Sequence, residues 1–276
     1  MSNEFDSAAY QQIWDKLVGY AQDVDTLFAQ SAPNAINDGL NTPYADWIPG
    51  LANLIKTAGR KMLQALKWLW EKIMDLLEGV AAPLFMAQRA FEWSDAKGAF
   101  ADISSAINPD LLLAPKEWKG DAADEYVKTV GSQRTAIGKM EEICETCRNH
   151  LIAAAIAGFV LYAGVASVVA QFLTAVAVEL GLIAAGFTAA GGFAAFWATT
   201  GITAAELSAA AGVAVVFVGD QTKAWNDIDA AANNNSGFQK DPDSGAVNWP
   251  DPNTKYFDDA SVDDDNESKW RLNPDK

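Results

Sequence analysis

The chain has 276 residues, 50% of them hydrophobic, and a formal net charge of −16. That is enough apolar material to bury a core over one large or two modest domains, and the composition is not that of a disordered protein. A chain this acidic gains little by neutralising phosphates, which argues against nucleic acid and leaves basic or metal-bearing molecules as the electrostatic partners.

The opening "MSNEFDSAAY" is acidic and has neither the positive region nor the short apolar core of a secretory leader, so export would need another route. Residues 6–30 place Ile13, Leu17, Ala21, Val24 and Phe28 on one helical face, which predicts an amphipathic helix. The following "SAPNAINDGLNTPYADWIPG" gathers Pro, Asn and Gly and predicts a loop with at most a short turn of helix, where the chain reverses. From Leu51 to Val80 a second amphipathic helix sets Leu51, Leu54, Ile55, Ala58, Met62, Leu66, Leu69, Ile73 and Leu77 on one side. Lys56, Arg60, Lys61, Lys67 and Lys72 decorate the rest, and Trp68 and Trp70 flank the stripe. A basic, Trp-bearing helix in an acidic protein fits an anionic membrane surface; it fits equally a packed helix with a solvated lysine face.

Pro83 interrupts. Leu84, Ala87, Phe91, Ala99, Ile103 and Ala106 resume a helical period that ends at Asn108-Pro109. After the loop "NPDLLLAPKE", Asp121 is a good N-cap, and a further helix is expected from there to about residue 150, making a helical hairpin over residues 84–150. Cys144 and Cys147 lie about one turn apart on it. They read as two small half-buried residues or a redox pair; zinc at Cys144, Cys147 and His150 would need a fourth ligand, and no strand precedes the pair as a thioredoxin-type site requires.

Between Arg148 and Asp220 the only charges are Glu179 and Glu206, with His150 neutral, and the uncharged runs on either side of Glu179 are each long enough to span a bilayer. Gly181 and Ala185, Gly186 and Ala190, Gly191 and Ala195, and Gly201 and Ala205 are small pairs four apart that let helices approach closely. In lipid, Glu179 and Glu206 are expected to face a bundle interior or a water-filled path; in a soluble core wrapped by the first two amphipathic helices they are expected at helix ends. Beyond Asp220 the chain turns rich in Asn, Asp and Pro, which predicts a mostly extended acidic tail whose Trp249, Tyr256, Phe257 and Trp270 can dock on the helical body or a partner. Its "DPDSG" and "VDDDNE" runs do not follow the EF-hand spacing.

One histidine leaves no base for a Ser/His/Asp or Cys/His arrangement away from the cysteines, and no phosphate loop or zinc-protease motif is present. Glu141 and Glu142 are adjacent on a helix and point apart. The expectation is a non-enzymatic chain without cofactor or metal.

The stretch "EWKGDAADEYV" sets Trp118 and Gly120 before the expected helix start and Ala122, Ala123 and Tyr126 within it. A Trp-x-Gly at the turn of a helical hairpin resembles the WXG100 family and its larger type VII (ESX) secretion relatives of the EspA and EspE type. The resemblance covers roughly residues 84–150. It implies that Trp118 and Gly120 shape the turn while Ala122, Ala123 and Tyr126 pack the hairpin. It also implies leaderless export to the cell envelope or outside, action at envelope or host membranes, and assembly as a homo-oligomer or with a small helical partner. Family substrates or their partners carry a Tyr with an acid four residues later; no Tyr here has one, so either a partner carries that signal or the chain leaves by another route.

The expected architecture is therefore all-α: amphipathic helices over 1–83, a WXG-type hairpin over 84–150, apolar Ala/Gly-rich helices over 151–219 and an acidic tail over 220–276. Two other classes keep the same residues. One is an integral membrane protein of holin-like or toxin-like type; the other is a soluble scaffold whose apolar helices form an oligomer core. In any membrane-contacting form the candidate contact residues are Lys56, Arg60, Lys67, Trp68, Trp70, Glu179 and Glu206.

Overall fold

A computed structural model of the protein describes residues 5–108, 110–112, 118–119, 121–251 and 271–272. The fold is all-α, as expected. Helix α1 spans Ser7–Thr26, α2 Ala32–Leu40, α3 Pro43–Trp47, α4 Leu51–Leu77, α5 Ala82–Ala106, α6 Asp121–Ala184 and α7 Ala189–Ala232. The strands among the described residues are two residues each: β1 (Trp118–Lys119) pairs antiparallel with β4 (Arg271–Leu272), and β2 (Gln239–Lys240) with β3 (Val247–Asn248).

Asp6 caps α1 by accepting from the Ala9 amide at 2.9 Å. The buried stripe of α1 is Tyr10, Leu17 and Val24, spaced by sevens, with Ile13, Ala21 and Phe28 half-buried beside it. The loop expected after it is helical instead. A π-helical turn over Leu27–Ser31 leads directly into α2. Pro33 sits in the first turn of α2, where it lacks an N–H and its ring crowds the carbonyl four residues back; the widened turn makes room for it without breaking the helix. Helix α4 is preceded by Gly50, which is left-handed at φ 81°. It buries Leu51, Ile55, Gly59, Met62, Leu66, Leu69 and Ile73, a near-perfect period of 3.6, whereas Leu54 faces outward at 42% exposure and leaves the expected stripe. Pro83 lies in the first turn of α5, where its missing N–H costs nothing. Its buried ring packs on Gly158 of α6 so closely that a Cβ there would collide with it.

Helix α6 begins at Asp121, where the N-cap residue suggested, but it does not stop near residue 150; it runs without a break to Ala184. Gly186, at φ 74°, turns the chain into α7. Helix α7 likewise ignores the compositional break at Asp220 and ends at Ala232.

The chain divides into two compact units, Met1–Ala87 with Ile152–Gln221 and Gln88–Leu151 with Thr222–Lys276. Segments distinguished by composition thus associate out of order, the first with the third and the second with the fourth. In the first unit Tyr10, Leu17 and Val24 of α1 and Ile55, Met62, Leu66, Leu69 and Ile73 of α4 join one core with Val165, Val169, Phe172, Val176 and Ile183 of α6 and Phe193, Phe196 and Leu207 of α7. The amphipathic helices therefore cover one face of the apolar hairpin. The Tyr10 hydroxyl donates to the Val80 carbonyl, tying the start of α1 to the residues just after α4. Burial, with Tyr162 close by, raises the phenol of Tyr10 above its ordinary range.

The second unit joins α5 to α6 through a Lys97 to Glu145 ion pair at 2.9 Å and buries Ala90, Val130, Ala136, Ile137, Cys144, Cys147 and Ala224. The described part of the acidic segment packs on α6. Gln133 donates to the Pro250 carbonyl at 2.8 Å, and Gly237, at φ 86°, meets the backbone of Ser132 and Ala136 where no Cβ would fit. Asp241 accepts from the Asp243 and Ser244 amides, which lowers its carboxyl below the usual range and shapes the β2–β3 turn. Trp249 meets Phe238 edge to face at 6.0 Å between centroids.

Candidate functional site

Three groups of residues carry the functional expectations, and the structure treats them differently. The first is the Trp-x-Gly turn. Trp118 and Lys119 form β1, with Trp118 opposite Leu272 and Lys119 opposite Arg271. Gly120 lies outside the described residues, as do the side chains of Trp118 and Ala122 and the aromatic residues Tyr256, Phe257 and Trp270. Within the first turns of α6, Ala123 is buried and Tyr126 half-buried, positions from which both can pack. The pairing of the turn with the chain's end was not foreseen; a two-residue strand leaves no periodicity to read.

The second group is the basic face of α4. Lys56, Arg60 and Lys67 are exposed, Lys67 at 4.0 Å from Glu71. Trp68 and Trp70 part company. Trp68 is 44% exposed and borders a hollow with Lys72, Leu76, Ala204 and Leu207, while Trp70 is half-buried against α1 and packs on the core. Trp70 is thus a packing residue rather than part of an outward Trp pair.

The third group is the apolar hairpin of α6 and α7 within the first unit. Its inner face forms the core described above; its outer face is uncovered. Along α6 the outward positions are Val160, Gly164, Ser167, Gln171, Thr174, Val178 and Leu182, and along α7 they include Ala194, Trp197, Ile202, Ala205, Val213 and Val216. The spacing of three and four puts the α6 set on one helical face. Neither set carries a charge apart from Glu206. Among the described residues one helix, Ala123–Ala184, is long and apolar enough to cross a membrane, with a mean hydropathy of 2.2 over its most apolar window, and only 33% of that window is buried. A core helix of a soluble protein passes the same test of length and composition, but would be mostly buried.

The two carboxylates on this hairpin differ. Glu179 is buried at 5% exposure near the end of α6, and its Oε1 accepts from the Thr199 hydroxyl of α7 at 2.5 Å. Its Oε2 and the buried Thr200 hydroxyl have no hydrogen-bond partner among the described residues. Glu206 is exposed in the middle of α7, which corrects the expectation of a helix-end position for it: the uncovered face of α7 lets it reach water directly. Glu179 and Thr199 therefore form a polar clasp between α6 and α7. Thr199→Val is expected to destabilise the protein by about 1–3 kcal/mol, because it leaves a buried carboxylate with neither oxygen paired. Glu179→Gln, which keeps an acceptor and removes the charge, is expected to cost less, and chemical denaturation of the two variants gives the comparison.

Cys144 and Cys147 are free thiols, both buried. Burial raises both above the ordinary thiol range, Glu141 adding to the effect at Cys144 and the neighbouring Cys144 at Cys147. His150, third of the residues considered for zinc, has Nε2 3.8 Å from Asp227 Oδ2. Among the described residues no group of three or more His, Cys, Asp and Glu is placed to hold a metal ion. With little thiolate at neutral pH, the native thiols are expected to react with an aromatic disulfide reagent far more slowly than in denaturant, and more rapidly as pH rises.

Comparisons with family models, with curated proteins and with solved structures found no match to this chain.

Proposed function

We propose that the protein is a non-enzymatic, membrane-contacting helical protein of the type VII secretion-associated kind, which assembles with itself or with a small helical partner. The observation that carries this reading is the two-faced hairpin of α6 and α7: the inner face is sealed by α1 and α4, and the outer face presents Val160, Val178, Leu182, Trp197, Ile202 and Val216 to the surroundings with Glu206 as its one carboxylate. Uncovered apolar surface on this scale suits lipid or another subunit. The basic side chains of α4 suit anionic headgroups, an attraction that salt should weaken. Secretion-associated function rests on the Trp118-x-Gly120 resemblance and on the Asp121 start of the helix that follows it.

The two layers of the proposal have separate tests. Val178→Lys and Ile202→Lys place charges at positions that are already exposed, so the fold should survive, while each charge carried to a bilayer centre costs about 2.5–3.5 kcal/mol. The expected result is loss of vesicle binding with unchanged helicity; retained binding by both variants would remove membrane contact through this face. Trp118→Ala tests the resemblance: it is expected to weaken assembly or partner binding and export, and unchanged behaviour in all three would remove that part.

A further inference from the structure

A groove within the first unit lies between α1 and the end of α4, about 540 Å³ in volume. Its walls are Trp14, Leu17, Trp70, Met74, Leu77 and Val80, and its polar groups, Gln22, Asp25 and Thr26, all lie at one end. The bond from Tyr10 to the Val80 carbonyl makes α1 run antiparallel to α4, so Trp14 lies at the Leu77 and Val80 end and Gln22 and Asp25 lie toward the Trp70 end. Trp14 and Asp25 are about 16 Å apart along the α1 axis at about 1.5 Å per residue, the order of an extended dodecyl chain. Among the described residues that line the groove, Asp25 alone is charged.

We propose that this groove binds a single-chain amphiphile with a cationic head, taken up as a monomer, its ammonium at Asp25 and its alkyl chain laid toward Trp14 and Val80. The shape is that of a small-molecule site, mostly apolar with a few convergent polar groups. The charge decides the head. An ammonium gains from the Asp25 carboxylate, whereas a fatty carboxylate meets a like charge and no compensating cation among the lining residues. The site is independent of the outer face of α6 and α7 and stands or falls without the membrane-contact proposal.

The test is calorimetric titration of the full chain with dodecylammonium, dodecanol and dodecanoate, each below its aggregation concentration. One site is expected, with dodecylammonium up to about fivefold tighter than dodecanol and dodecanoate weakest. Asp25→Lys, at an exposed position, is expected to reverse the order of ammonium and carboxylate. A general attraction of cations to a chain carrying −16 would survive that substitution almost unchanged, so an unaltered order overturns the proposal. Ala21→Phe, which fills the groove, is expected to abolish the site while circular dichroism stays helical. Absence of binding to the unaltered chain, or equal binding by Ala21→Phe, likewise overturns it.

Discussion

Phe196→Ala is expected to cost about 3–5 kcal/mol of stability, measured as a lower denaturant midpoint with little change in slope. Phe196 is fully buried on the inner face of α7, in the core shared with Phe172 and Ile183 of α6 and Met62, Leu66 and Leu69 of α4. Truncation removes the transfer energy of a whole ring and leaves a cavity. The surroundings are poorly able to collapse into it. Gly192, one turn earlier on α7, already sits so close to Ile183 and the Glu179 carbonyl that an added Cβ would meet them at 2.8 and 2.9 Å, so α7 has no room to move toward α6. The same variant weakens the seal between the hairpin and its covering helices. If that seal keeps the hairpin from lipid, Phe196→Ala should also bind vesicles more readily than the unaltered chain.

Gly186→Ala carries the second large effect, about 2–5 kcal/mol. Two costs add. The backbone is left-handed at φ 74°, which costs a residue with a Cβ about 1–2 kcal/mol, and the new methyl would collide with the side chain of Thr42. Thr42 cannot yield easily, because its hydroxyl donates to the Gly39 carbonyl at 2.8 Å and Gly39 is itself pressed against the Ile183 carbonyl. Overpacking of this kind costs typically about 1–3 kcal/mol. Gly50→Ala is the control: Gly50 has a similar φ of 81° but open space around it, so it should show the backbone cost alone. Thermal unfolding of the pair separates strain from collision.

How much of this was written in the sequence follows from what each element uses. The stripe of Ile13, Leu17, Ala21, Val24 and Phe28 and the 3.6-residue stripe of α4 are local patterns; they predict both helices and the burial of Leu17 and Val24, whereas Tyr10 is buried outside the expected stripe and Leu54 leaves it. Asp121 predicted the start of α6 because capping is also local. Three features were not legible for the same reason in reverse. Pro33, Asn34 and Gly39 are breakers by local rules, yet a π-helical turn and burial of Ala32, Ala35 and Ile36 keep α2 helical. The ends of α6 and α7 do not follow changes in composition, because backbone hydrogen bonding continues through a change from polar to apolar side chains. The non-sequential association of segments rests on contacts between residues far apart in the chain, which no window of sequence contains.

Of the candidate site, the apolar hairpin and the isolation of Glu179 were legible, since an uncharged run around a lone carboxylate is visible by inspection. Which carboxylate would be buried was not. Glu179 falls on the face of α6 that meets α7 and Thr199, whereas Glu206 falls on the uncovered face of α7, a difference of helical phase relative to a partner helix. The groove between α1 and α4 is not legible in the sequence because Trp14 and Trp70, which line it together, lie far apart in the chain, and Trp70 reads alone as a flank of the α4 stripe.

The central claim is that the apolar hairpin is sealed on one face by its own chain and open on the other. The most direct test is expression without detergent, size-exclusion chromatography with light scattering, and vesicle flotation of the resulting peak. The account predicts a soluble peak of defined mass, as an oligomer or with a helical partner, and flotation with vesicles containing anionic lipid. Material found only in the membrane fraction would contradict the sealed inner face, and a soluble monomer that ignores vesicles would contradict the open outer one.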